Sequence, residues 1–410
     1  LLTGRPADAD FEATSAFMAD ERSMPSGSNT TQMAAWWLAR ILHNPHPLRE
    51  KLTLFWHNHF ATSLAKVRNA RFMLGQYRLL YQHALGDFRQ LLQAITKDPA
   101  MMIWLDTVAS RKGQPNENYA RELMELFSLG IGHYTETDIR EAARAFTGYT
   151  VRDGIPHFDP KQHDAGEKTV LGQTGRWKAE DIVRICLEQV ACPRFIVSKL
   201  YRAFVAEGEP PAAELLEPLA ERYRRSGFNT AAVMEMIFRS EWFFSPAAYR
   251  QRIKSPVEFI AGIVRALEGQ VGPLPLADSL ADLGQVLFAP PSVKGWDGGP
   301  AWLNAQTLLY RQNLALAITS TEDTRFGRRC DPVTLLQRHQ RTGETEAIDF
   351  FLALFLQNDL PEESQQKLRD YAASARKQRF PRYWSESDIT EHRLRTLAYL
   401  TLTIPEFQLA

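Results

Sequence analysis

Apolar residues recur at three- and four-residue spacing along most of this chain, the period of helices that bury one face. The pattern predicts helices over 31–43, 48–60, 72–85, 87–95, 116–129, 138–146, 179–189, 193–205, 212–223, 230–239, 256–267, 302–318, 346–356, 362–375 and 391–402. Several starts carry caps: Thr135 and Asp138 have capping-box spacing, Asn229 precedes a helical run, and Ser255-Pro256 sets proline in a first turn. Period-two alternation shows only over 148–158, around the hairpin dipeptide Asp153-Gly154. The expectation is an all-α protein, a large multi-helical bundle-like domain with a small β-hairpin insertion near 148–158. Two Gly- and Pro-rich segments, 150–177 and 269–299, read as long functional loops. The polar stretch 320–345 reads as a mobile connection. It divides a main helical domain, 1–320, from a helical extension, 321–410, packed on it.

Composition narrows the class. With 410 residues, 44% hydrophobic and 23% charged, the chain can bury a large core. Lys+Arg and Asp+Glu both number 48, so no global field draws it to nucleic acid or anionic lipid. No apolar run approaches the ~18 residues of a membrane span. The three cysteines, Cys186, Cys192 and Cys330, form no CxxC pattern and allow at most one disulfide; buried thiols are expected.

Against this background the polar residues inside apolar stretches stand out. FWHNHF, residues 55–60, carries two histidines on a helical run. On one continuous helix His57 lies roughly 200° around the axis from His59, so the two cannot share an ion. Either one faces a site and the other is structural, or the helix ends near Trp56 and a turn brings both to one side. His59 fits a core histidine donating to a backbone carbonyl, and His57 is the one expected to meet solvent or a ligand.

NENYARELMELFSLG, residues 116–130, sets Glu117, Arg121 and Glu125 on one ladder and Asn118, Glu122 and Glu125 on a neighbouring stripe. That is either a solvated charge ladder or a buried carboxylate helix, with Arg121 compensating charge and Glu117 or Glu122 free to bind a cation or move protons. FDPKQHDAGEKTVLG, residues 158–172, groups His163, Asp164 and Lys168 in a loop able to ligate a metal or shuttle protons, or stapled by an Asp–Lys pair. PPSVKGWDGGPAWLN, residues 290–304, places Lys294, Trp296 and Asp297 on a Gly-rich turn, suited to an anion or to Trp296 stacking on a sugar, though it lacks P-loop order.

These segments, with KLYRAFV, KSPVEF and the closing RTLAYLTLTIPEFQLA, resemble the signature segments of the bacterial "domain of unknown function 1800" family, in the family's order from about residue 30 onward. The resemblance departs at Tyr149, where tryptophan is more usual, and reads the opening stretch as shortened. It implies no settled activity. It does imply an exported protein, periplasmic or extracellular, and a partner resembling alkaline phosphatases and sulfatases. By position the family signatures fall on His57, His59, Glu117, Arg121, Glu122, His163, Asp164, Lys168, Lys294 and Trp296.

Two functions follow as expectations. The first is a metal-dependent hydrolase acting on glycans or their esters. His57, His59, His163 and Asp164 would hold zinc, manganese or iron, with calcium less favoured by imidazole ligands. Glu117, Glu122, Arg121, His163 and Lys168 would carry the chemistry, and Lys294, Trp296 and Asp297 would contact substrate. The second is a non-catalytic helical scaffold whose polar signatures form a buried network, so that Glu117→Gln or His163→Ala would cost several kcal/mol.

Overall fold

The computed structural model describes residues 29–209, 211–323, 325–375 and 379–410. The opening stretch that the resemblance reads as shortened lies outside them. The fold is all-α, with two small two-stranded sheets among the described residues. The chain forms two compact units: 29–249 with 286–297, and 250–285 with 298–410. The boundary expected at 320/321 falls inside the second unit.

In the first unit, α1 (Thr30–His43) leads into α2 (Pro47–His59). Pro47 costs nothing in a first turn, where no amide is needed, and Arg40 and His43 suit the C-terminal end of α1. A short α3 (Leu64–Val67) precedes α4 (Ala70–His83), α5 (Phe88–Thr96) and α6 (Pro99–Trp104). Asn69, Asp87 and Asp98 accept from first-turn amides to start α4, α5 and α6. Next come α7 (Asn118–Glu122), a π-helical turn (Leu123–Ser128) and α8 (Glu136–Ala145), opened by the expected Thr135/Asp138 capping box. Two hairpins follow, β1 (Tyr149–Arg152) with β2 (Ile155–Phe158), and β3 (Lys168–Val170) with β4 (Gln173–Gly175). In the first, Arg152 pairs with Ile155 across Asp153-Gly154, both at positive φ as a tight hairpin requires. The helices α9 (Ala179–Glu188), α10 (Ala191–Phe204), α11 (Ala213–Arg225) and α12 (Thr230–Phe238) complete the unit. Its core stacks Trp56, Phe60 and Phe88, and the Trp56 indole donates to the Ala84 carbonyl at 3.0 Å. Cys186, Cys192 and, in the second unit, Cys330 are free buried thiols.

A buried ionic network ties α1, α2 and α4 together. Glu50 accepts from Arg40 Nε (3.1 Å), Asn44 Nδ2 (2.6 Å), Trp37 Nε1 (3.2 Å) and the Tyr77 hydroxyl (2.8 Å). A carboxylate so enclosed survives burial because every acceptor site is used.

The second unit centres on α19 (Glu386–Thr403), packed by α15 (Ala305–Thr319), α16 (Pro332–Arg338), α17 (Glu344–Leu356) and α18 (Glu362–Ala375), with α13 (Pro256–Ala266) and α14 (Pro273–Asp282) alongside in sequence. The 269–299 segment, expected as one long loop, thus contains α14. Its prolines, Pro273 and Pro275, sit in the first turn, where a missing amide breaks no hydrogen bond. Likewise α16 occupies part of the expected 320–345 connection. No helix among the described residues is long and apolar enough to cross a membrane.

Candidate functional site

FWHNHF stays helical to His59, so its three polar residues point in different directions and do three different jobs. His57 is 1% exposed, set edge-on to Trp37 (5.2 Å between ring centroids) and beside Phe288 (5.8 Å) and Trp296 (5.7 Å). The expectation that His57 meets solvent is therefore corrected: aromatic rings enclose it. Among the described residues its Nε2 has no hydrogen-bond partner, and burial alone pushes its pKa down to about 3.

Asn58 clasps the 290–304 signature. Its Oδ1 accepts from the Trp296 amide at 2.7 Å and its Nδ2 donates to the Trp296 carbonyl at 3.4 Å. This close approach requires Gly295, which has φ +84°; a Cβ there would overlap the Asn58 side chain and stand 2.5 Å from its carbonyl oxygen. Trp296 is buried by this clasp, so its ring packs on His57 and is not presented as a stacking surface; Lys294 and Asp297 are exposed.

His59 caps the π-helical turn. Its Nδ1 faces Lys199 Nζ at 3.2 Å and must accept, which leaves Nε2–H to donate to the Phe127 carbonyl at 3.1 Å. Lys199 also donates to the Leu126 carbonyl at 3.0 Å. A cation at a helix C-terminus is favourably placed, yet burial pushes Lys199 down to about 8, and burial with the Lys199 charge holds His59 well below its usual range. The expected core histidine is thus found, while Lys199 was missed. The signal was legible in KLYRAFV: a lysine on the apolar stripe of Phe195, Ile196 and Leu200.

The 116–129 helix breaks its period at the π-helical turn, which separates the predicted ladder into two groups. Arg121 takes Glu136 with two bonds (2.7 and 2.9 Å) and Glu117 at 3.3 Å, on a face where all three are at least one-third exposed. Beyond the break, Glu125 accepts from the Tyr134 hydroxyl at 2.7 Å. Glu122 is half-buried, and its carboxyl is raised by burial and by Glu125, with Arg121 and Lys294 pulling the other way. Thus Glu122 and Lys294 lie within electrostatic reach of each other.

The 158–172 loop is built differently from either expectation. His163 is buried, with Nδ1 on the Thr147 carbonyl at 3.0 Å and its ring edge-on to Phe158. Asp164 pairs with Arg144 rather than Lys168 (2.8 Å), and that guanidinium holds its carboxyl down to about 2. Lys168 is 1% exposed and donates to the carbonyls of Asp164 (2.6 Å) and Gly166 (2.9 Å), knotting the loop from within.

His57, His59 and the His163–Asp164 pair therefore belong to three separate groups, and only His163 and Asp164 meet a common residue, Thr147. His59 has both nitrogens engaged, one facing an ammonium, and Asp164 is held by Arg144, so these donors do not fit a common metal ion. Among the described residues, no three His, Cys, Asp or Glu side chains are grouped to hold one.

What fold and site define is an all-α protein whose polar signature segments clasp one another around an aromatic core. The chain belongs to the family described as "Protein of unknown function (DUF1800)", whose profile matches residues 3–409, including the opening stretch read as shortened. No curated protein and no solved structure matches it.

Proposed function

We propose that the chain is a non-catalytic helical scaffold whose signature residues maintain the fold and whose surface binds a partner protein outside the cytoplasm. The observation that carries this reading is the internal use of the signature polar atoms. Asn58 clasps Trp296, His59 and Lys199 cap one helix end, and Lys168 and Asp164 fasten one loop. Buried networks of this kind fix one arrangement of elements and leave little for a substrate. The partner class is the one that the resemblance implies, an alkaline-phosphatase- or sulfatase-like protein. The test is co-expression with such a protein from the same genome, followed by size-exclusion chromatography with light scattering. A stoichiometric complex supports the scaffold. Elution as separate species, together with stoichiometric zinc, manganese or iron that His163→Ala removes without unfolding the chain, overturns it.

A hydrolase of envelope glycans or their esters is the second reading, and Glu122 favours it. A half-buried carboxyl raised by desolvation and by neighbouring Glu125, with Arg121 and Lys294 in electrostatic reach, has the setting that tunes a carboxyl towards acid–base work. The matching experiment screens aryl esters and aryl glycosides with the wild type and Glu122→Gln. Turnover lost in a variant that melts at the wild-type temperature supports this reading, and turnover equal in both removes Glu122 from it.

A further inference from the structure

A groove of about 500 Å³ lies wholly within the second unit, between the end of α15 with its following turn and the start of α19. That volume falls within the range of small-ligand sites. Of its lining residues only Arg395 and Thr396, at the start of the closing RTLAYLTLTIPEFQLA, belong to the signature segments above.

Aromatic rings and carboxylates line the groove together. Tyr383 is 85% exposed, leaving its ring face open at the groove. Trp384 beside it is held in place by stacking on Phe380 (5.6 Å, 17°) and by the His392 ring edge (5.3 Å). Leu316, 49% exposed, gives the opposite side an aliphatic surface. Three carboxylates line the groove, Glu322, Asp388 and Glu391, against one guanidinium, Arg395. Arg395 is already committed: Nε donates to Glu391 at 3.0 Å, Nη2 to Asp331 at 2.9 Å and Nη1 to the Thr319 carbonyl at 3.1 Å. Asp388 spends one oxygen on the Ser385 amide and hydroxyl at the helix start. Glu322 and Asp388 thus have no cationic partner among the described residues, and the groove combines uncompensated negative charge with exposed ring surface.

Aromatic faces and carboxylates together attract organic cations, the rings through their quadrupoles and the acids by charge. An anion is repelled from such a groove, and a compact hydrated metal ion gains nothing from the rings. We propose that this groove binds a linear polyamine, its ammonium groups directed to Glu322 and Asp388 and its methylene links lying on Tyr383, Trp384 and Leu316.

The experiment is calorimetric titration of the whole protein with spermidine at low ionic strength, with maltotriose as the neutral counterpart. Saturable one-to-one binding is expected, weakened about two- to fivefold by Tyr383→Ala and further by Glu322→Gln. It should also weaken as salt is added. Both side chains are exposed, so the variants should melt as the wild type does. The proposal is overturned by absence of saturable spermidine binding in the millimolar range, or by wild-type affinity in a variant that carries both Tyr383→Ala and Glu322→Gln. Maltotriose binding that Tyr383→Ala abolishes, with no spermidine binding, also overturns it and assigns the groove to neutral saccharides.

Discussion

Replacing His57 with leucine should make the first unit resist acid. In the fold its imidazole is enclosed by Trp37, Phe288 and Trp296 and titrates near 3, against 6.5 for a free histidine. Between those values the unfolded chain binds a proton that the folded chain refuses, so stability is complete above the upper pKa and falls as pH drops below it. From pH 7 to pH 5 this one group removes about 2 kcal/mol, and about 5 kcal/mol across the whole window. Leucine has no proton to refuse and leaves no Nε2 unpartnered, so at pH 7 the variant should stay within about 1 kcal/mol of the wild type. Urea unfolding followed by tryptophan fluorescence reads the effect directly, because Trp37 and Trp296 touch the substituted ring. The other titrating groups are common to both proteins and cancel in the difference. Parallel stability curves from pH 7 to pH 5 would refute the assignment and show that His57 is protonated in the fold or open to water.

Three further outcomes follow from the same contacts. Gly295→Ala forces a Cβ into Asn58 at a positive φ, and a thermal melt should show a loss of about 2–3 kcal/mol. Lys168→Met strands the carbonyls of Asp164 and Gly166, costing about 2–4 kcal/mol, with faster amide hydrogen exchange over 159–167; unchanged exchange there would mean the loop holds without its ammonium. Glu117→Gln, expected from sequence to be costly in a scaffold, should shift stability by less than about 1 kcal/mol, because its Arg121 contact is solvated; a larger loss in urea would contradict the exposed placement.

Sequence made the helical body legible because its period is local, and it exposed the Asp153-Gly154 hairpin because that dipeptide suits positive φ. It hid α14 because prolines in a first turn look like loop punctuation. The π-helical turn was hidden too, since one extra residue per turn leaves the composition unchanged. The important polar residues were readable, but their partners were not. His59 reads as a core histidine from its apolar company, yet nothing near it in sequence points to Lys199, 140 positions on. Asp164 was matched with the nearest lysine, whereas the fold supplied Arg144 from α8. Asn58, between two histidines, offered no role from sequence, although its clasp on Trp296 explains why a glycine precedes that tryptophan.

The return of residues 286–297 to the first unit sets a schedule for synthesis. Trp37 and His57 leave the ribosome more than two hundred residues before Phe288 and Trp296, the rings that cover them. Until then the nascent first unit carries an open aromatic face and an Asn58 side chain without its Trp296 backbone partner, which is the state in which chaperone capture and aggregation compete with folding. A chain arrested near residue 249 would hold almost all of that unit's residues and still lack its lid.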